Sequence, residues 1–437
     1  MSSQISLYNA HLAEQLERIS GALAAAQCDH LWIDNGGLLP RFADDTRYPF
    51  RANPYLAEVV PLTSHPYTHL FVTPGNKPRL AIQQREDIWH SQAPLPEQCE
   101  AFDVVHYTDQ RDLKKLLPAG RVAAITSQSD HTSSSVEINP PRLLDFLDYQ
   151  RAVKTDYAIA QTVAATRAAA AGHKAAYAAF SAGANEQQIH REYLYACGQS
   201  EYELPYDAIV AIDSNAAVLH HTLRSDQAHH HQSLLLDAGA SSCGYASDIT
   251  RTLAGAKAPA LFRELIAALD SAQQQLAETV IADYEFIDLQ RDADLAISKI
   301  LCASNILHCS LEQAIEEQLV GFFFPHGIGH LLGVQVHDRG GQLADPTGRP
   351  RPPPQSNPML RCTRRLEENM LVTVEPGIYF IPQLLAKIPT HQRPLINWQA
   401  VEELLPCGGI RIEDNVVAGP LRGRNLTREQ LTGEPTS

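Results

Sequence analysis

The chain has 437 residues, which exceeds the usual size of one hydrophobic core and favours two domains. Hydrophobic residues make up 44% and charged residues 19% of the chain, a composition that excludes a disordered protein. The formal net charge of −15 argues against nucleic acid or a membrane surface as a partner, because both bind clustered cations.

The first third of the chain alternates helix and strand patterns. An amphipathic segment at residues 11–27 predicts a helix. Short apolar runs predict strands at Leu31–Ile33, Leu70–Val72, Leu80–Gln83 and Val122–Ile125. A pair of prolines at 140–141 and the helical run beginning near Lys154 place a domain boundary there. We therefore expect an α/β domain over residues 1–154.

The cellular compartment is predicted from the N-terminus and the cysteines. The first residues lack the charged start, apolar stretch and cleavage site of a secretory signal, and no run of 18 apolar residues occurs. The eight cysteines form no C-x-x-C pair, and a chain of this length does not need a disulfide framework. These features predict a cytoplasmic protein with reduced thiols.

The second part of the chain combines long helices with strand-like runs. Helical patterns lie at about 155–181, 186–196, 259–282 and 289–302. The strand-like runs are AIVAI, SLLLDAGA, MLVTVEPGIYF and GIRIEDNVV. The segment Asp345–Pro358 holds six prolines and is predicted to be a loop. Residues 155–437 are therefore expected to form an α+β domain in which helices cover an antiparallel sheet.

Four acidic residues of the second part lie in or at the end of these apolar runs. Asp237 ends the run SLLLD and Asp248 follows eleven residues later, while Glu375 and Glu413 lie inside the last two runs. Burying a carboxylate in such a strand is costly unless a cation or hydrogen bonds compensate its charge.

One buried carboxylate is typical of an ordinary ion pair, and Arg251 and Arg411 are candidate partners. Four carboxylates exceed the basic residues of the same strands. Together they can neutralise two divalent cations, so the cluster favours a metal site.

A glycine-rich segment, Pro325–His337, supplies nitrogen ligands at His326, His330 and His337. Its glycines argue against a helix and allow the backbone to fold closely around a ligand. A set of Asp, Glu and His side chains suits Mn²⁺, Co²⁺ or Zn²⁺ better than a thiolate site would. Two such ions can share a bridging hydroxide that attacks a carbonyl, so the residues predict a hydrolase.

The same phrases carry a family resemblance. LLLDAGA…GYASDITRT, PHGIGHLLGVQVHD, LVTVEPGIYF and GGIRIEDNVV occur in order over residues 200–420, with VLHHT and LRCTR in support. The chain resembles the proline-specific members of the pita-bread metallopeptidase superfamily, which includes aminopeptidase P and methionine aminopeptidase. It is most similar to the bacterial Xaa-Pro dipeptidases (prolidases) and the related organophosphorus acid anhydrolases. The phrase DDTRYPFRANP extends the resemblance to the N-terminal domain.

The resemblance implies a creatinase/aminopeptidase-like, pita-bread C-terminal domain that holds two metal ions, with Mn²⁺ as the first choice. It implies five ligands: Asp237, Asp248, His330, Glu375 and Glu413. Asp248 and Glu413 would bridge the two ions, and Glu375 would also shuttle a proton. Catalysis further needs a partner for the developing oxyanion, for which His337 is the candidate.

Substrate recognition is expected from residues around these ligands. A dipeptidase must bind the substrate carboxylate, and arginine is the residue best suited to that task. By resemblance, Arg361 and Arg411 hold this carboxylate or orient the acidic ligands. For Arg411, an ion pair with an acid of its own strand is the equal alternative. His220 and His326 are expected to line the proline side of the pocket, and Tyr206 to complete its wall.

The resemblance implies hydrolysis of dipeptides with a C-terminal proline by a homodimer. Two alternatives share the ligand set, namely an aminopeptidase P that cleaves longer Xaa-Pro peptides and an organophosphorus acid anhydrolase. A non-catalytic binding module is disfavoured, because all five ligand positions are filled. Nucleotide-dependent functions are disfavoured as well, because the chain has no G-x-x-x-x-G-K-[ST] motif. The run His229–His231 is expected to be a solvated loop and not a ligand set.

Overall fold

The computed structural model describes residues 2–84, 88–89, 93–127, 135–227 and 231–431. The chain divides into two compact units. The first holds the chain up to Gln161 together with Ser242–Tyr245 and Leu343–Pro350, and the second holds the remainder. The division at Gln161 falls inside a long helix, Asp156–Ser181, that begins just after the boundary expected from the sequence.

The first unit is built on a six-stranded sheet. Its strands are β1 His30–Asp34, β2 Thr68–Val72, β3 Arg79–Gln83, β4 Asp103–Tyr107, β5 Val122–Ile125 and β6 Val136–Ile138. They are ordered β4-β3-β2-β1-β5-β6. The sheet is mixed, because β1 pairs antiparallel with β2 and parallel with β5. Trp32, Phe71 and Tyr107 pack in the core on this sheet.

Four helices accompany this sheet: α1 Ser2–Ala26, α2 Pro54–Val59, α3 Gln110–Leu116 and α4 Pro141–Gln150. A 3₁₀ turn lies at Glu97–Ala101. The four strands predicted from the sequence lie within β1, β2, β3 and β5, and the first predicted helix lies largely within α1. The α/β character expected for the N-terminal domain is confirmed.

The remaining helices are α5 Asp156–Ser181, α6 Glu186–Cys197, α7 Ala260–Glu278, α8 Phe286–Ala303, α9 Leu311–Glu316, α10 Pro382–Leu385, α11 Trp398–Leu404 and α12 Leu426–Leu431. Short 3₁₀ turns lie at Asp213–Ala217, Leu319–Phe322, Arg393–Leu395 and Leu405–Cys407. Among the helices of the described ranges, none combines the length and the apolar character needed to cross a membrane.

The remaining strands are β7 Ile209–Ile212, β8 Ser233–Asp237, β9 Ser241–Ser242, β10 Tyr245–Ala246, β11 Thr250–Ala254, β12 Leu371–Val374, β13 Gly377–Tyr379, β14 Gly409–Arg411, β15 Asp414–Val417 and β16 Arg424–Asn425. They form the antiparallel sets β11-β8-β7, β12-β15-β16 and β13-β14, and β9 pairs with β10. This arrangement of antiparallel strands and helices confirms the α+β class. The proline-rich segment 345–358 has no helix or strand in its described backbone, as expected.

A buried ion network joins β11, β15 and α12. Asp414 is fully buried and accepts hydrogen bonds from Arg251 Nη2 at 2.6 Å, Arg428 Nε at 2.9 Å and Asn425 Nδ2 at 2.7 Å. Burial raises the pKa of the Asp414 carboxyl, but Arg251 and Arg428 outweigh burial and bring this pKa down to about 2. Arg251 is thereby engaged by Asp414, so it does not neutralise the four carboxylates singled out in the sequence.

Replacing Asp414 by alanine should lower the free energy of unfolding by about 3–5 kcal/mol, because the buried Arg251 loses its counter-charge and the half-buried Arg428 loses one of its two carboxylate partners. Denaturant titration of the metal-loaded protein measures this loss. The control is Arg291→Ala on α8, which breaks an exposed ion pair with Asp288 and should cost at most about 1 kcal/mol. Equal effects of the two substitutions would contradict a structural role for the network.

Candidate metal centre

Strand register brings three of the four acids together around Thr250. Asp237 at the end of β8 pairs with Thr250 at the start of β11, and Thr250 forms a further antiparallel bridge with Glu413. The Thr250 hydroxyl donates to Glu413 Oε2 at 2.6 Å. Asp248 lies two residues before Thr250, and its backbone N–H donates to Asn415 Oδ1 at 3.1 Å. Residues far apart in sequence therefore converge because the strands pair side by side.

The glycine-rich histidine loop is attached to β12. Leu331 bridges with Val372, and the Thr373 N–H donates to the His330 carbonyl at 2.9 Å. Beyond the end of β12, the Glu375 N–H donates to the Ile328 carbonyl at 2.8 Å. These backbone bonds place His330 and Glu375 side by side on neighbouring segments.

Two buried glutamines support these segments from α7 and α8. Gln290 Oε1 accepts the Ile328 N–H at 2.6 Å, and Gln290 Nε2 donates to Asp294 Oδ1 at 2.8 Å. Gln273 Nε2 donates to the Val374 carbonyl, next to Glu375, at 3.1 Å. The sequence reading missed both glutamines, because nothing in a helical pattern distinguishes a glutamine that bonds to a distant backbone.

His330 faces three carboxylates through one ring nitrogen. His330 Nδ1 lies 2.9 Å from the Leu331 carbonyl oxygen, which can only accept, so Nδ1 donates there and Nε2 is the nitrogen that faces the acids. His330 Nε2 lies 3.5, 3.7 and 4.0 Å from Asp248 Oδ2, Glu375 Oε1 and Glu413 Oε1. Three buried carboxylates gathered around one imidazole nitrogen need positive charge between them.

Three of the acids have raised pKa values because they are buried close to one another. Burial raises the pKa of Asp248, Glu375 and Glu413 well above the usual range of a carboxyl group, and a neighbouring carboxylate raises each pKa further. Asp237 acts in this way on Asp248, Asp248 acts on Glu413, and Glu413 acts on Glu375. Ligand atoms of Asp248, His330 and Glu413 lie within 4.8 Å of one another. The donor set fits divalent cations, which would relieve this repulsion.

Asp237 is the one acid of the four with an arginine partner. Arg411 Nη2 donates to Asp237 Oδ2 at 2.6 Å. The Tyr206 hydroxyl lies 2.8 Å from Asp237 Oδ1 and 2.5 Å from Asp248 Oδ1. Tyr206 was expected to complete the wall of the substrate pocket, and the structure instead places its hydroxyl between two expected ligands.

Arg411 and His326 are joined through Tyr379. Arg411 Nη1 donates to Tyr379 Oη at 2.9 Å, and Tyr379 Oη lies 2.8 Å from His326 Nε2. His326 Nδ1 is 2.9 Å from the Gly327 carbonyl oxygen, so Nδ1 donates there and Nε2 accepts from the tyrosine. Burial, and then Arg411, lowers the pKa of His326 to about 3, which keeps its ring neutral. With its donors directed at Asp237 and Tyr379, Arg411 is arranged to orient a ligand.

His337 lies against the expected ligand His330, and Arg361 and His220 act on it electrostatically. The His337 ring meets the His330 ring edge-on, with centroids 4.6 Å apart. Burial, and then His330, lowers the pKa of His337 to about 3, so it is a neutral N–H donor at pH 7. Arg361 and His220 are exposed, and each lowers the pKa of His337 further. Within the described chain no hydrogen bond or ion pair engages the Arg361 guanidinium, which leaves it available to an anion.

Of the histidine run His229–His231, the structure describes His231 alone. His229 and His230 fall outside the described residues. His231 Nε2 bonds to the Ala184 carbonyl oxygen at 3.1 Å, and its ring packs on Phe180. The described member of the run therefore has a structural partner of its own.

Gly329 allows the histidine loop to approach β12. A Cβ atom at Gly329 would lie 2.0 Å from the Thr373 carbonyl oxygen, so Gly329→Ala must push the loop away from the strand. We expect this variant to bind metal at least about tenfold more weakly, because His330 is the next residue. Metal titration by calorimetry measures the change. Gly321→Ala is the control, since its Cβ would meet no atom within 4 Å and should leave the affinity unchanged.

Comparison with known protein families matches both parts of the chain. The model of metallopeptidase family M24 matches residues 160–420, and the model described as "Xaa-Pro dipeptidase, N-terminal domain" matches residues 6–149. An Xaa-Pro dipeptidase of Xanthomonas campestris pv. campestris (strain B100) is 42% identical over 97% of this chain and 97% of its own length. An Xaa-Pro dipeptidase of Pseudoalteromonas atlantica is 38% identical over 98% of this chain and 99% of its own length.

Solved structures share the fold at lower sequence identity. Aminopeptidase P from E. coli with the inhibitor Pro-Leu aligns with a TM-score of 0.74 at 22% identity, covering 96% of this chain and 95% of that chain. This likeness confirms the pita-bread fold expected for the second domain. Identity this low shows the fold alone and does not distinguish a dipeptidase from an aminopeptidase.

Proposed function

The chain belongs to metallopeptidase family M24 and carries the N-terminal domain of the Xaa-Pro dipeptidases, and from this premise we propose that it hydrolyses dipeptides with a C-terminal proline. Membership of the family makes it a metal-dependent hydrolase. The narrower assignment is supported by relatives named Xaa-Pro dipeptidase at 38–42% identity over nearly the whole chain.

The observation that carries the chemistry is the acceptor cluster around His330 Nε2. One imidazole nitrogen and three buried carboxylates face one another, and this arrangement favours a bound cation over a purely structural role. We propose that Asp237, Asp248, His330, Glu375 and Glu413 would hold two divalent ions. Oxygen ligands with one imidazole suit Mn²⁺, which is our first choice, and also Co²⁺ or Zn²⁺.

Bound divalent cations supply Lewis-acid chemistry, polarising a carbonyl and lowering the pKa of water. The protein's part is to hold and move protons. Glu375 is the most exposed of the four acids, and its Oε2 lies 3.7 Å from His326 Nδ1. We assign to Glu375 the transfer of a proton from the attacking water to the leaving proline nitrogen. His337, a neutral N–H donor, is assigned to the developing oxyanion.

Recognition of the substrate's free carboxylate is assigned to Arg361. Its guanidinium is exposed, is not engaged within the described chain, and acts electrostatically on His337. Arg411, the other candidate, is directed at Asp237 and Tyr379, so we assign it to orienting a ligand. His220 and His326 are proposed to line the proline side. Anchoring by Arg361 explains why a dipeptide would be preferred over a longer chain.

Arg361→Ala should lower kcat/KM for Leu-Pro about 10- to 100-fold, mainly through KM, because a charge-assisted hydrogen bond is lost. Leu-Pro amide, which lacks the carboxylate, should be cleaved equally by variant and wild type. Arg365→Ala is the control, since Arg365 is exposed but pairs with Asp283. A loss of equal size with the amide substrate would exclude Arg361 as the carboxylate anchor.

The proposal also covers domain limits, assembly and compartment. We propose residues 1–154 as the N-terminal domain and 155–437 as the catalytic domain, in a homodimer located in the cytoplasm. All eight cysteines are free thiols and five of them are buried, which suits a reducing compartment. Light scattering tests the dimer.

Hydrolysis by chelator-stripped protein, before and after addition of Mn²⁺, tests the function. Ala-Pro and Leu-Pro should be cleaved only after Mn²⁺ is added, and Ala-Ala and Leu-Pro-Ala should not be cleaved. Cleavage of Leu-Pro-Ala would move the assignment to an aminopeptidase. If no peptide is cleaved by metal-loaded protein, phosphotriesters are the next substrates to test, because water activated at such a metal site can also attack phosphorus.

A further inference from the structure

Glu186, the first residue of α6, is a fully buried carboxylate with four hydrogen-bond donors. Its Oε1 accepts the Ile212 N–H at 2.9 Å and Asn215 Nδ2 at 2.8 Å. Its Oε2 accepts the Ser225 N–H at 2.8 Å and His221 Nε2 at 3.1 Å. Its side chain is 0% exposed. None of these donors belongs to the expected metal ligands, so the carboxylate has a separate task.

The four donors belong to one loop. Ile212 ends β7 and Ser225 lies at the far end of the loop, so a single carboxylate holds both ends of residues 212–225 together. The start of α6 reinforces this closure, because Asn185 Nδ2 donates to the Asp226 carbonyl at 2.9 Å. Glu186 therefore fixes both ends of the loop, while Ala216 inside the loop packs in a buried core cluster.

The loop carries His220 next to the bonded His221. His220 is exposed, and it acts electrostatically to lower the pKa of both His326 and His337. Of the two adjacent histidines, His221 is bonded to the buried Glu186 carboxylate, whereas His220 is the exposed residue that is proposed to line the proline side.

We infer that Glu186 and His221 are positioning residues that set the place of His220 at the proline side of the substrate. This inference rests on the proposed function for the role of His220. The two adjacent histidines then have different roles: His221 anchors the loop, and His220 contacts the dipeptide. A buried carboxylate is suited to the anchor, because it accepts several hydrogen bonds at once and each is charge-assisted.

Paired substitutions at His221 test the anchor with little risk to folding. His221→Phe removes the N–H donor and should lower kcat/KM for Leu-Pro about tenfold or more, mainly through KM. His221→Gln keeps an N–H at a similar reach and should restore most of this loss. Metal content should stay at the wild-type value in both variants. Equal activity of the two variants, or loss of metal in either, would overturn the inference.

A double-substitution cycle tests whether Glu186 acts through His220. Glu186→Gln should lower kcat/KM about 10- to 100-fold in the wild-type background. In a His220→Ala background, the same change should have little further effect, because the residue that it positions is already absent. Additive losses would overturn the inference, and so would a His220→Ala variant with wild-type kinetics.

Amide hydrogen exchange separates this inference from the proposed function. In metal-loaded protein without substrate, Glu186→Gln and His221→Phe should speed exchange in residues 212–225 and leave β12 unchanged. If the wild type cleaves no Xaa-Pro dipeptide, the proposed function fails, and the exchange result alone then decides the anchoring. Unchanged exchange in the loop overturns it, whereas faster exchange confined to the loop supports it.

Discussion

Replacing Glu375 by glutamine should lower kcat for Leu-Pro about 10²- to 10⁴-fold while most of the bound metal is retained. Glutamine keeps the shape of the side chain and one carbonyl oxygen for coordination, but its amide cannot accept and release the proton of the attacking water. In the metal-free site, burial, and then Glu413, raises the pKa of Glu375 well above its usual range. Steady-state kinetics and elemental analysis of the purified variant measure both effects.

The matched control for Glu375→Gln is Glu278→Gln, the same chemical change at an exposed position near the end of α7. It should leave kcat, KM and metal content unchanged. A loss smaller than about tenfold in Glu375→Gln would mean that another group transfers the proton. Loss of both metal ions together with activity would assign Glu375 a ligand role only.

The acids of the site were predictable because each one interrupts an apolar strand pattern. Asp237, Glu375 and Glu413 lie at strand ends or between short strands, where a buried carboxylate needs compensation. The phrases around them also carry the family resemblance, so the fold followed from the same residues. The strand pattern and the family resemblance point to the same residues, because the strands of the pita-bread fold carry the proposed ligands.

The supporting residues were not predictable, because their roles arise from tertiary contacts. Gln290 and Gln273 look like ordinary helix residues, and only the folded chain brings them to the backbone beside His330 and Glu375. Glu186 looks like an acidic first-turn residue of α6, yet it is fully buried. Strand β4 was also missed, because only one of its five residues is buried and it has no apolar run.

Tyr206 and Arg411 show a further limit of reasoning from motifs. Tyr206 was expected at the pocket wall, and Arg411 was expected either to bind the substrate carboxylate or to orient an acidic ligand; each donates one hydrogen bond to Asp237. A motif identifies which residues gather at a site, but the direction of a side chain depends on its partners. Here the need to orient an acidic ligand accounts for the hydrogen bonds of both residues.

Glu413 and Asp414 are adjacent carboxylates with opposite electrostatic environments, so neutralising them should have opposite effects on stability. Burial, and then Asp248, raises the pKa of Glu413, so holding it ionised at pH 7 costs folding free energy when no metal is bound. The pKa of Asp414 is lowered to about 2 because its arginine partners outweigh burial, so its charge stabilises the fold. Glu413→Gln should therefore raise the melting temperature of chelator-stripped protein, and Asp414→Asn should lower it.

After addition of Mn²⁺, the Glu413→Gln variant should melt at a lower temperature than the wild type. The stability of the wild-type protein rises with the logarithm of the affinity of the folded state for metal, whereas the variant lacks one of the proposed ligands and gains much less. Its kcat/KM should fall at least about 10³-fold, because several kcal/mol of transition-state stabilisation by the metal are lost. Thermal denaturation resolves these differences, since about 1 kcal/mol shifts Tm by roughly 2–4 °C in a domain of this size. If Glu413→Gln destabilised the stripped protein as Asp414→Asn does, Glu413 would be part of a structural ion network and the metal assignment would fail.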